Sequence, residues 1–332
     1  MKAMVMTRPG GVEVFEYREI DEPTIRTPTQ VKVAIQCAGI NPIDTKIRNR
    51  GVFFADALPA VLGCDGAGLV AEVGAEVTQF QPGDRVWFCH GGLGREQGNY
   101  AQYTVMEQTE LAVMPQSVDF ATAAAAPLVV ITAWEAMFDR VRLATEQTIL
   151  IHAGAGGVGH VAIQLALEHG ARVATTVSST EKAEYVTALG VEKVIHYRDS
   201  DLKEEVMEWT DGEGAQVVFD TVGGQVLTDC FAYTAEYGRV VTLLEPQGDV
   251  DWKTLRSKNL SLSFELMLSP MLRDLPAARQ HQIDILDSAA RLVDDGKLQV
   301  RVEQRLPLHD AAKAHTMIES GHGMGKLVLD TV

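Results

Sequence analysis

One glycine-rich stretch, TILIHAGAGGVGHVAIQ (residues 148–164), has the residue types and spacing needed to hold a phosphate. Gly154, Gly156 and Gly159 satisfy the pattern G-x-G-x-x-G, directly after a strand-like run and before a helix-like run. Glycines here let the backbone turn and approach a pyrophosphate, whose charge is stabilised at the helix N-terminus. This context favours a dinucleotide site over a plain strand-to-helix turn. The loop residues assigned to the cofactor are Gly154, Gly156, Gly157, Val158 and Gly159.

The residues after the next strand-like run indicate which dinucleotide is bound. An NAD site normally places an acid there, about 20 residues past the glycines, to bind the ribose 2′-hydroxyl. Here ARVATTV ends at Val177, and Ser178, Ser179 and, one turn later, Lys182 follow. Small hydroxyls and a cation suit a 2′-phosphate, so the sequence favours NADP(H). Ser178 could also cap a helix in a capping box with Glu181, and Lys182 could lie on a solvated face.

The stretch LGCDGAG (62–68) sets a cysteine beside an acid among glycines. Such a pair could be half of a zinc site, or it could be a turn packed into a small-residue core. Catalytic zinc needs three N, S or O ligands around an open position. The four cysteines of the chain include no C-x-x-C pair, so neither a disulfide framework nor a zinc ribbon is indicated.

Composition narrows the possible classes of protein. A chain of 332 residues is too long for one ordinary core, so we expect two domains. Its net charge of −16 would repel nucleic acid. The N-terminus lacks the apolar region of a signal peptide, and the longest uncharged apolar stretch, 120–134, is shorter than the roughly 20 residues that a membrane span needs. We therefore expect a cytoplasmic protein that binds neither nucleic acid nor membrane.

The elements that must position these residues follow two patterns. The first part of the chain has short β-type runs separated by proline and glycine turns, as in small barrel-like β domains. From Thr148 onward apolar strands alternate with amphipathic helices, which predicts a parallel, doubly wound sheet. The helical tail ends in the short strand KLVLD and is expected to pack back on the first domain. We predict an α/β protein with a dinucleotide-binding domain over 123–267 and a β domain over 1–122 that 268–332 completes.

The order and spacing of eight segments resemble the medium-chain dehydrogenase/reductase superfamily, in particular its zinc-free branch of quinone oxidoreductases and zeta-crystallin-like proteins. The resemblance implies a GroES-like β-barrel-type catalytic domain and a Rossmann domain for the doubly wound sheet. It also implies a homodimer that forms through the Rossmann sheets at FELML (264–268). The segments are CAGINPIDTKIR, LGCDGAGLVAEVG, QPGDRVW, APLVVITAWEAM, HAGAGGVGHVAIQLA, VIHYRDSDL, VVFDTVGG and GKLVLD.

The resemblance also bears on the zinc question. Zinc alcohol dehydrogenases of the superfamily carry a ligand cysteine in G-[IV]-C and a ligand histidine in G-H-E. The matching positions here hold Asn41, and Cys64 with Asp65. The segment that carries the four-cysteine structural-zinc lobe in those enzymes has a single cysteine, Cys89. Cys64 and Asp65 are therefore interpreted as a packed turn residue and a hydrogen-bonded acid, and no residue is assigned to a metal.

Individual roles follow from the resemblance as well. Asn41 and Thr132 are expected to border the nicotinamide, Asp44 to orient its neighbours, and Tyr197 to help hold the 2′-phosphate. From the residues alone, Asn41 could simply form the turn of an Asn-Pro dipeptide and Thr132 could start a helix. Tyr197 could equally be an ordinary strand-end aromatic. Further cofactor contacts are implied at Val222, Leu243, Leu244 and Lys326.

The expected substrate pocket departs from that of relatives. They often place tyrosines near 46 to 54, where this chain has Phe53 and Phe54. A phenylalanine can stack on a flat acceptor but cannot donate a proton. Tyr100 or His90 could supply a proton, and nothing in the sequence chooses between them. The expected pocket residues are Phe53, Phe54, Tyr100 and Phe264.

The expected activity is that of an NADPH-dependent, zinc-free oxidoreductase. Without zinc nothing polarises an alcohol oxygen strongly, so the hydride acceptor is expected to be a quinone or an α,β-unsaturated carbonyl, that is, an enal or enone. Two alternatives stay open. The chain could be a zinc-dependent alcohol dehydrogenase with atypical ligands such as Cys64 and Asp65. It could also be a non-catalytic, crystallin-like protein that binds NADP.

Overall fold

Residues 1–54, 56–321 and 323–332 are described by a computed structural model of the protein. The strands, in chain order, are β1 (Lys2–Met6), β2 (Phe15–Glu19), β3 (Gln30–Ile40), β4 (Ala60–Val61), β5 (Asp65–Val73), β6 (Arg85–Cys89), β7 (Tyr103–Glu107), β8 (Ala112–Val113), β9 (Thr148–Ile151), β10 (Arg172–Val177), β11 (Lys193–His196), β12 (Ala215–Asp220), β13 (Thr234–Thr242), β14 (Ser261–Phe264), β15 (Val302–Pro307) and β16 (Lys326–Asp330). The helices are α1 (Pro42–Arg50), α2 (Phe120–Ala124), α3 (Pro127–Trp134), α4 (Gly157–Glu168), α5 (Thr180–Ala188), α6 (Leu202–Trp209), α7 (Gln225–Tyr233), α8 (Trp252–Ser257), α9 (Ser269–Leu272), α10 (Pro276–Asp294) and α11 (Ala311–Ser320).

The chain divides into two units. The first, called here the β unit, contains Met1–Leu128, Leu268–Gly296 and Val300–Val332, and the second, the Rossmann unit, contains Val129–Met267 and Lys297–Gln299. The first break falls after Leu128 rather than at the expected residue 122, because α2 packs on β3 and β5 of the β unit. The segment Lys297–Gln299 belongs to the Rossmann unit, although the tail was expected to belong wholly to the β unit. The side chain of Gln164 holds it there, because Nε2 donates to the Gln299 carbonyl and Oε1 accepts from the Gln299 N–H, both at 2.9 Å.

The β unit is built on a sheet in the order β15-β16-β3-β5-β6-β8, with β7 also paired to β3, and on a smaller sheet β2-β1-β4. Buried valine, isoleucine and phenylalanine side chains of β3, β5 and β6 form one of its hydrophobic clusters. The register pairs Gly39 with Asp65 and Ile40 with Leu327. The end of β3 therefore lies beside the starts of both β5 and β16.

The Rossmann unit is built on a parallel sheet in the order β11-β10-β9-β12-β13-β14. In chain order this is the doubly wound 3-2-1-4-5-6 arrangement of dinucleotide-binding folds. The strands are apolar and largely buried because helices cover both faces of such a sheet. The predicted α/β class and doubly wound sheet are confirmed, and the carboxyl ends of these strands meet at one edge.

Two details of the tail and the centre differ from the sequence pattern. Strand β15 was not predicted, because its sequence VEQRLP is polar and mostly exposed and shows no apolar run. It forms through parallel pairing with β16. The apolar stretch 120–134 divides into α2 and α3, and within the residues that the structure describes no helix is long and apolar enough to cross a membrane.

Candidate active site

The glycine loop joins β9 to α4, as the sequence predicts. A Cβ atom at Gly154 would lie 2.1 Å from Thr175 Oγ1, and one at Gly159 would lie 2.3 Å from the Ala153 carbonyl oxygen. Only glycine allows these close approaches. At Gly156 a Cβ would come no nearer than 3.1 Å to the Ala153 oxygen, and the backbone has an ordinary extended conformation. The first and third glycines therefore pack the loop, whereas Gly156 faces space that a phosphate could fill.

The ends of the neighbouring strands bring the other predicted cofactor residues to the same edge. The last registered pair of β10 and β11 is Val177 with His196, so Ser178 and Tyr197 follow side by side. Val222 follows β12, and Leu243 and Leu244 follow β13.

The predicted capping box at Ser178 is wrong. Helix α5 begins at Thr180, and its N-cap is Ser179, whose hydroxyl accepts from the Lys182 N–H at 3.4 Å. The cap lies one residue later than expected, although β10 ends at Val177 as predicted. Ser178 therefore stands between the strand and the cap, next to Tyr197.

A cavity of about 510 Å³ is lined by residues at this edge. Two of the predicted cofactor residues, Tyr197 and Val222, line it. His152, Thr176 and Tyr233 also line it and were missed from the sequence. The position of His152, between the strand TILI and the first glycine, was the one available signal.

One part of the cavity wall is polar but neutral, while the full lining also includes Asp201, Lys203 and Asp229. His152 Nε2 lies 3.0 Å from the Tyr233 hydroxyl, and Nδ1 lies 3.3 Å from Thr176 Oγ1. Burial lowers the pKa of His152 to about 4, so the imidazole is uncharged at neutral pH. This part of the wall therefore suits a flat, uncharged heterocycle.

The β unit carries a second group of functional side chains, centred on Asn41. Asn41 precedes α1 and is fully buried. Its Nδ2 donates to Asp65 Oδ2 at 2.8 Å, its Oδ1 accepts from the Lys326 ammonium, and its backbone N–H donates to Asp44 Oδ2 at 2.9 Å. This contact is one through which Asp44 can orient Asn41, and the orienting role stays a prediction.

Only the first three residues of LGCDGAG form the packed turn that was inferred, because β5 begins at Asp65. Cys64 is buried, and its carbonyl oxygen accepts from the His90 N–H at 2.7 Å and from Asn99 Nδ2 at 2.9 Å. Asp65 Oδ1 accepts from the Leu128 N–H at 2.9 Å, while Oδ2 accepts from Asn41. Cys64 is thus a packed turn residue and Asp65 a hydrogen-bonded acid.

Tyr100 does not line a substrate pocket, contrary to prediction. Its side chain is fully buried, and its hydroxyl lies 3.0 Å from Asp44 Oδ2 and 3.1 Å from His315 Nε2. Burial raises the pKa of Asp44 to about 7, because the low-dielectric interior disfavours its charged form more than these donors favour it. His315 was missed from the sequence because nothing there links it to a residue 215 positions away.

The structure also differs from the expectation for Lys326. The resemblance assigned it to the cofactor, yet 3% of its side chain is exposed. Its ammonium donates to the Ile40 carbonyl at 3.0 Å and to Asn41 Oδ1. Its hydrogens are therefore directed to protein oxygens.

The remaining predicted residues are scattered. Phe53 is 51% exposed. The Arg95 guanidinium lies over the ring of Phe54, 4.1 Å from its centre, and so covers one face of that ring. Thr132 is buried within α3 rather than at its start, and Phe264 ends β14 with 51% exposure. The structure thus brings Asn41 and Asp44 together in the β unit and places Thr132 and Phe264 in the Rossmann unit.

The side chains near Asn41 do not fit a zinc ion. Among residues 1–54, 56–321 and 323–332, no group of three or more His, Cys, Asp or Glu side chains is arranged to hold a metal. Burial raises the pKa of the Cys64 thiol well above its usual value, whereas zinc takes a thiolate. Asp65 is paired with an ammonium, and Asn41 offers only an amide oxygen, which zinc sites rarely use.

Comparisons with known proteins extend over both units. Residues 27–116 match the family described as alcohol dehydrogenase GroES-like domain, and residues 189–329 match that described as zinc-binding dehydrogenase. A quinone oxidoreductase of Pseudomonas aeruginosa is 35% identical over 96% of this chain and 96% of its own length. The structure of Escherichia coli quinone oxidoreductase complexed with NADPH has a TM-score of 0.87 and 28% identity, over 99% of this chain and 100% of that one. A structure of an NAD-dependent alcohol dehydrogenase has a TM-score of 0.90 and 31% identity, over 99% of both chains.

Proposed function

Because the chain belongs to the quinone oxidoreductase branch of the medium-chain dehydrogenase/reductase superfamily, and is an oxidoreductase with a nicotinamide cofactor, we propose that it uses NADPH to reduce quinones or α,β-unsaturated carbonyls. The chemistry is proposed to proceed without zinc. The observation that carries the choice of cofactor is the pair Ser178 and Tyr197, which follow registered residues of β10 and β11 with no acid at the end of β10.

Several side chains support NADPH over NADH. A 2′-phosphate beside Ser178 would accept hydrogen bonds from hydroxyl groups and would be neutralised by a cation such as Lys182. An NAD site would instead use a carboxylate to accept from the ribose 2′-hydroxyl, and such a carboxylate would repel a phosphate. The neutral wall of His152, Thr176 and Tyr233 is proposed to receive the adenine ring, which is flat and uncharged.

The glycine loop is proposed to hold the pyrophosphate. Gly156 leaves room for it, and the first N–H groups of α4 have no partner within the helix. When bound, reduced nicotinamide supplies the hydride. The part of this chain in that step is orientation, and we propose that Asn41, held by Asp65, Asp44 and Lys326, is the side chain that borders the ring.

Turnover assays test the activity. Purified protein with NADPH is expected to reduce members of a panel of quinones, enals and enones, and to show no dependence on added or chelated zinc. Stoichiometric zinc that is required for alcohol oxidation would favour the metal-dependent alternative. Binding of NADPH with no turnover on any acceptor would favour a non-catalytic protein.

A charge-removal variant tests the choice of cofactor. Lys182→Ala is expected to weaken NADPH binding by roughly tenfold, which corresponds to about 1.4 kcal/mol of binding free energy. NADH binding should stay nearly unchanged. Lys297→Ala is the matched control, because Lys297 is an exposed lysine of the same unit paired with Glu168 at 2.7 Å. Equal losses for NADPH and NADH in the Lys182 variant would refute the 2′-phosphate site.

We also propose that the protein is a homodimer that forms at β14. This strand ends the Rossmann sheet, and within the part of the chain that the structure describes no further strand pairs with its outer edge. Phe264 and Leu266 are 51% and 52% exposed there. Leu266→Glu is expected to shift the sedimentation behaviour from dimer to monomer, whereas Val113→Glu, which alters an exposed apolar residue of β8, should not. A monomeric native protein at micromolar concentration would contradict the proposal.

A further inference from the structure

Lys326 carries a positive charge into the interior of the β unit. It is the first residue of β16 and precedes the registered pair of Leu327 with Ile40. Its Nζ donates to the Ile40 carbonyl at 3.0 Å and to Asn41 Oδ1, and lies 3.7 Å from Asp65 Oδ2. One ammonium is thus surrounded by three oxygens, from a backbone carbonyl, an amide and a carboxylate.

A buried ammonium is unfavourable unless an opposite charge compensates it. Burial lowers the pKa of Lys326, and the carboxylates of Asp65 and Asp44 oppose that shift. Burial likewise raises the pKa of Asp65, and Lys326 opposes it. Each charge therefore favours the ionised form of the other, and removal of either would remove that compensation.

The same pair of charges selects one orientation of the Asn41 amide. Its Oδ1 faces the ammonium, and its Nδ2 donates to Asp65 Oδ2 at 2.8 Å. In the reversed amide, the Nδ2 hydrogens would face the ammonium and Oδ1 would face the carboxylate, and both contacts would be repulsive. Lys326 and Asp65 together therefore fix which edge of the amide points in each direction.

We propose that Lys326 is a positioning residue whose ammonium is the resident cation of this cluster, balancing Asp65 and fixing the side chain of Asn41. A family described as zinc-binding dehydrogenase implies a divalent cation, and the donor set here does not fit one. In this chain a side-chain ammonium supplies the positive charge instead. The action of Asn41 in the reduction rests on the proposed function, whereas the place of the ammonium does not.

Nitrogen-15 labelling of the lysines tests the ammonium in the native protein. Ammonium protons of exposed lysines exchange with water too fast to be observed at neutral pH, but a buried, hydrogen-bonded ammonium is protected. We expect a protected ammonium signal that Lys326→Met removes, whereas any signal from Lys32, which is also buried and is paired with Glu22, should persist. A native spectrum without a protected ammonium signal would overturn the proposal even if no variant folds.

Chemical rescue separates the charge from the packing. Lys326→Ala is expected to lower the Tm, and ethylammonium is expected to raise it again in a saturable way. Tetramethylammonium has the same charge but no N–H donor and should not do so. Lys2→Ala is the control, because Lys2 is an exposed lysine of the same unit paired with Glu19 at 3.1 Å, and neither cation should rescue it. Equal effects of the two cations on the Lys326 variant would overturn the proposal.

Kinetics connect the ammonium to Asn41. Lys326→Met is expected to lower kcat by roughly tenfold to a hundredfold, because misplacing a positioned group by about 1 Å has effects of that size. The KM for NADPH should stay unchanged, and Lys326→Arg should restore part of kcat. An unchanged kcat in Lys326→Met would overturn the positioning role. If the native protein reduced no acceptor, the proposed function would fail, while the labelling and rescue experiments would still decide the place of the ammonium.

Discussion

The Tyr100 hydroxyl lies 3.0 Å from Asp44 Oδ2 and donates its proton to it. The direction follows from His315, whose Nδ1 lies 3.4 Å from Arg48 Nη1 and whose Nε2 lies 3.1 Å from the same hydroxyl. A guanidinium can only donate, so Nδ1 must accept and Nε2 must carry the proton. The donors therefore follow one direction: Arg48 donates to His315, His315 to Tyr100, and Tyr100 to Asp44. Asp44 Oδ2 also accepts from the backbone N–H of Asn41.

Removing the Tyr100 hydroxyl is expected to destabilise the protein. Tyr100→Phe takes a donor from a buried carboxyl group and an acceptor from a buried imidazole, and we expect a loss of about 1.5–3 kcal/mol in the free energy of unfolding. Urea unfolding measures it. Tyr103→Phe is the control, because Tyr103 is partly exposed and its ring, which lies 5.2 Å from Lys32 Nζ, is kept. Similar losses in both variants would contradict the role of the Tyr100 hydroxyl.

Asp44 is expected to make stability depend on pH in an unusual direction. Burial raises its pKa from 3.8 to about 7, so the folded protein binds this proton more tightly than the unfolded chain. The stability that Asp44 contributes is therefore present at low pH and is lost as pH rises from about 4 to about 7. Urea unfolding across this range should show the wild type losing stability relative to Asp44→Asn as pH rises. A difference that does not change with pH would show that Asp44 ionises normally, and Asp249→Asn, at an exposed position, controls for the change of charge.

His152 is expected to act in the opposite direction in the Rossmann unit. Burial lowers its pKa from 6.5 to about 4, so the unfolded chain binds the proton more tightly. Stability is therefore lost as pH falls from about 6.5 to about 4. The unfolding free energy of His152→Gln should fall less steeply over this range than that of the wild type, whatever its absolute stability. Replacing the exposed His309 by Gln should leave the slope unchanged, and parallel slopes for His152→Gln and the wild type would rule out the assignment.

Two glycines of the loop are expected to respond differently to alanine. Gly159→Ala would place a Cβ 2.3 Å from the Ala153 oxygen, so we expect a lowered Tm and weak cofactor binding together. Gly156→Ala meets the same oxygen at 3.1 Å, so we expect a Tm close to that of the wild type but weaker NADPH binding, because the methyl group occupies phosphate space. Thermal melts with and without NADPH separate the two. Normal NADPH binding by Gly156→Ala would place the pyrophosphate elsewhere.

Local patterns were sufficient to predict the Rossmann unit. Its strands are continuous apolar runs, its glycine loop lies between a strand and a helix, and a parallel sheet brings the carboxyl ends of its strands to one edge. Ser178, which follows one of those strands, could therefore be named from its position, whereas Tyr197 and Val222 were named from the family resemblance. The cap of α5 was misplaced by one residue because Ser178 and Ser179 are both good caps, and only the hydrogen bond from the Lys182 N–H identifies Ser179 as the cap.

The β unit shows what a linear pattern cannot give. Asn41, Asp65 and Lys326 lie far apart in the chain, and they meet because β3, β5 and β16 pair in one register. Tyr100 is placed by a backbone hydrogen bond to Leu62, and His315 by the packing of α11 on α1. The sequence determined the residue types: an amide where a zinc ligand is found in related enzymes, and a cysteine–acid pair among glycines. Tertiary structure alone decided that Tyr100 faces Asp44 instead of a substrate and that Lys326 is buried beside Asn41 and Asp65. The physical reason is that the free energy of a buried charge depends on neighbours that only the folded chain supplies.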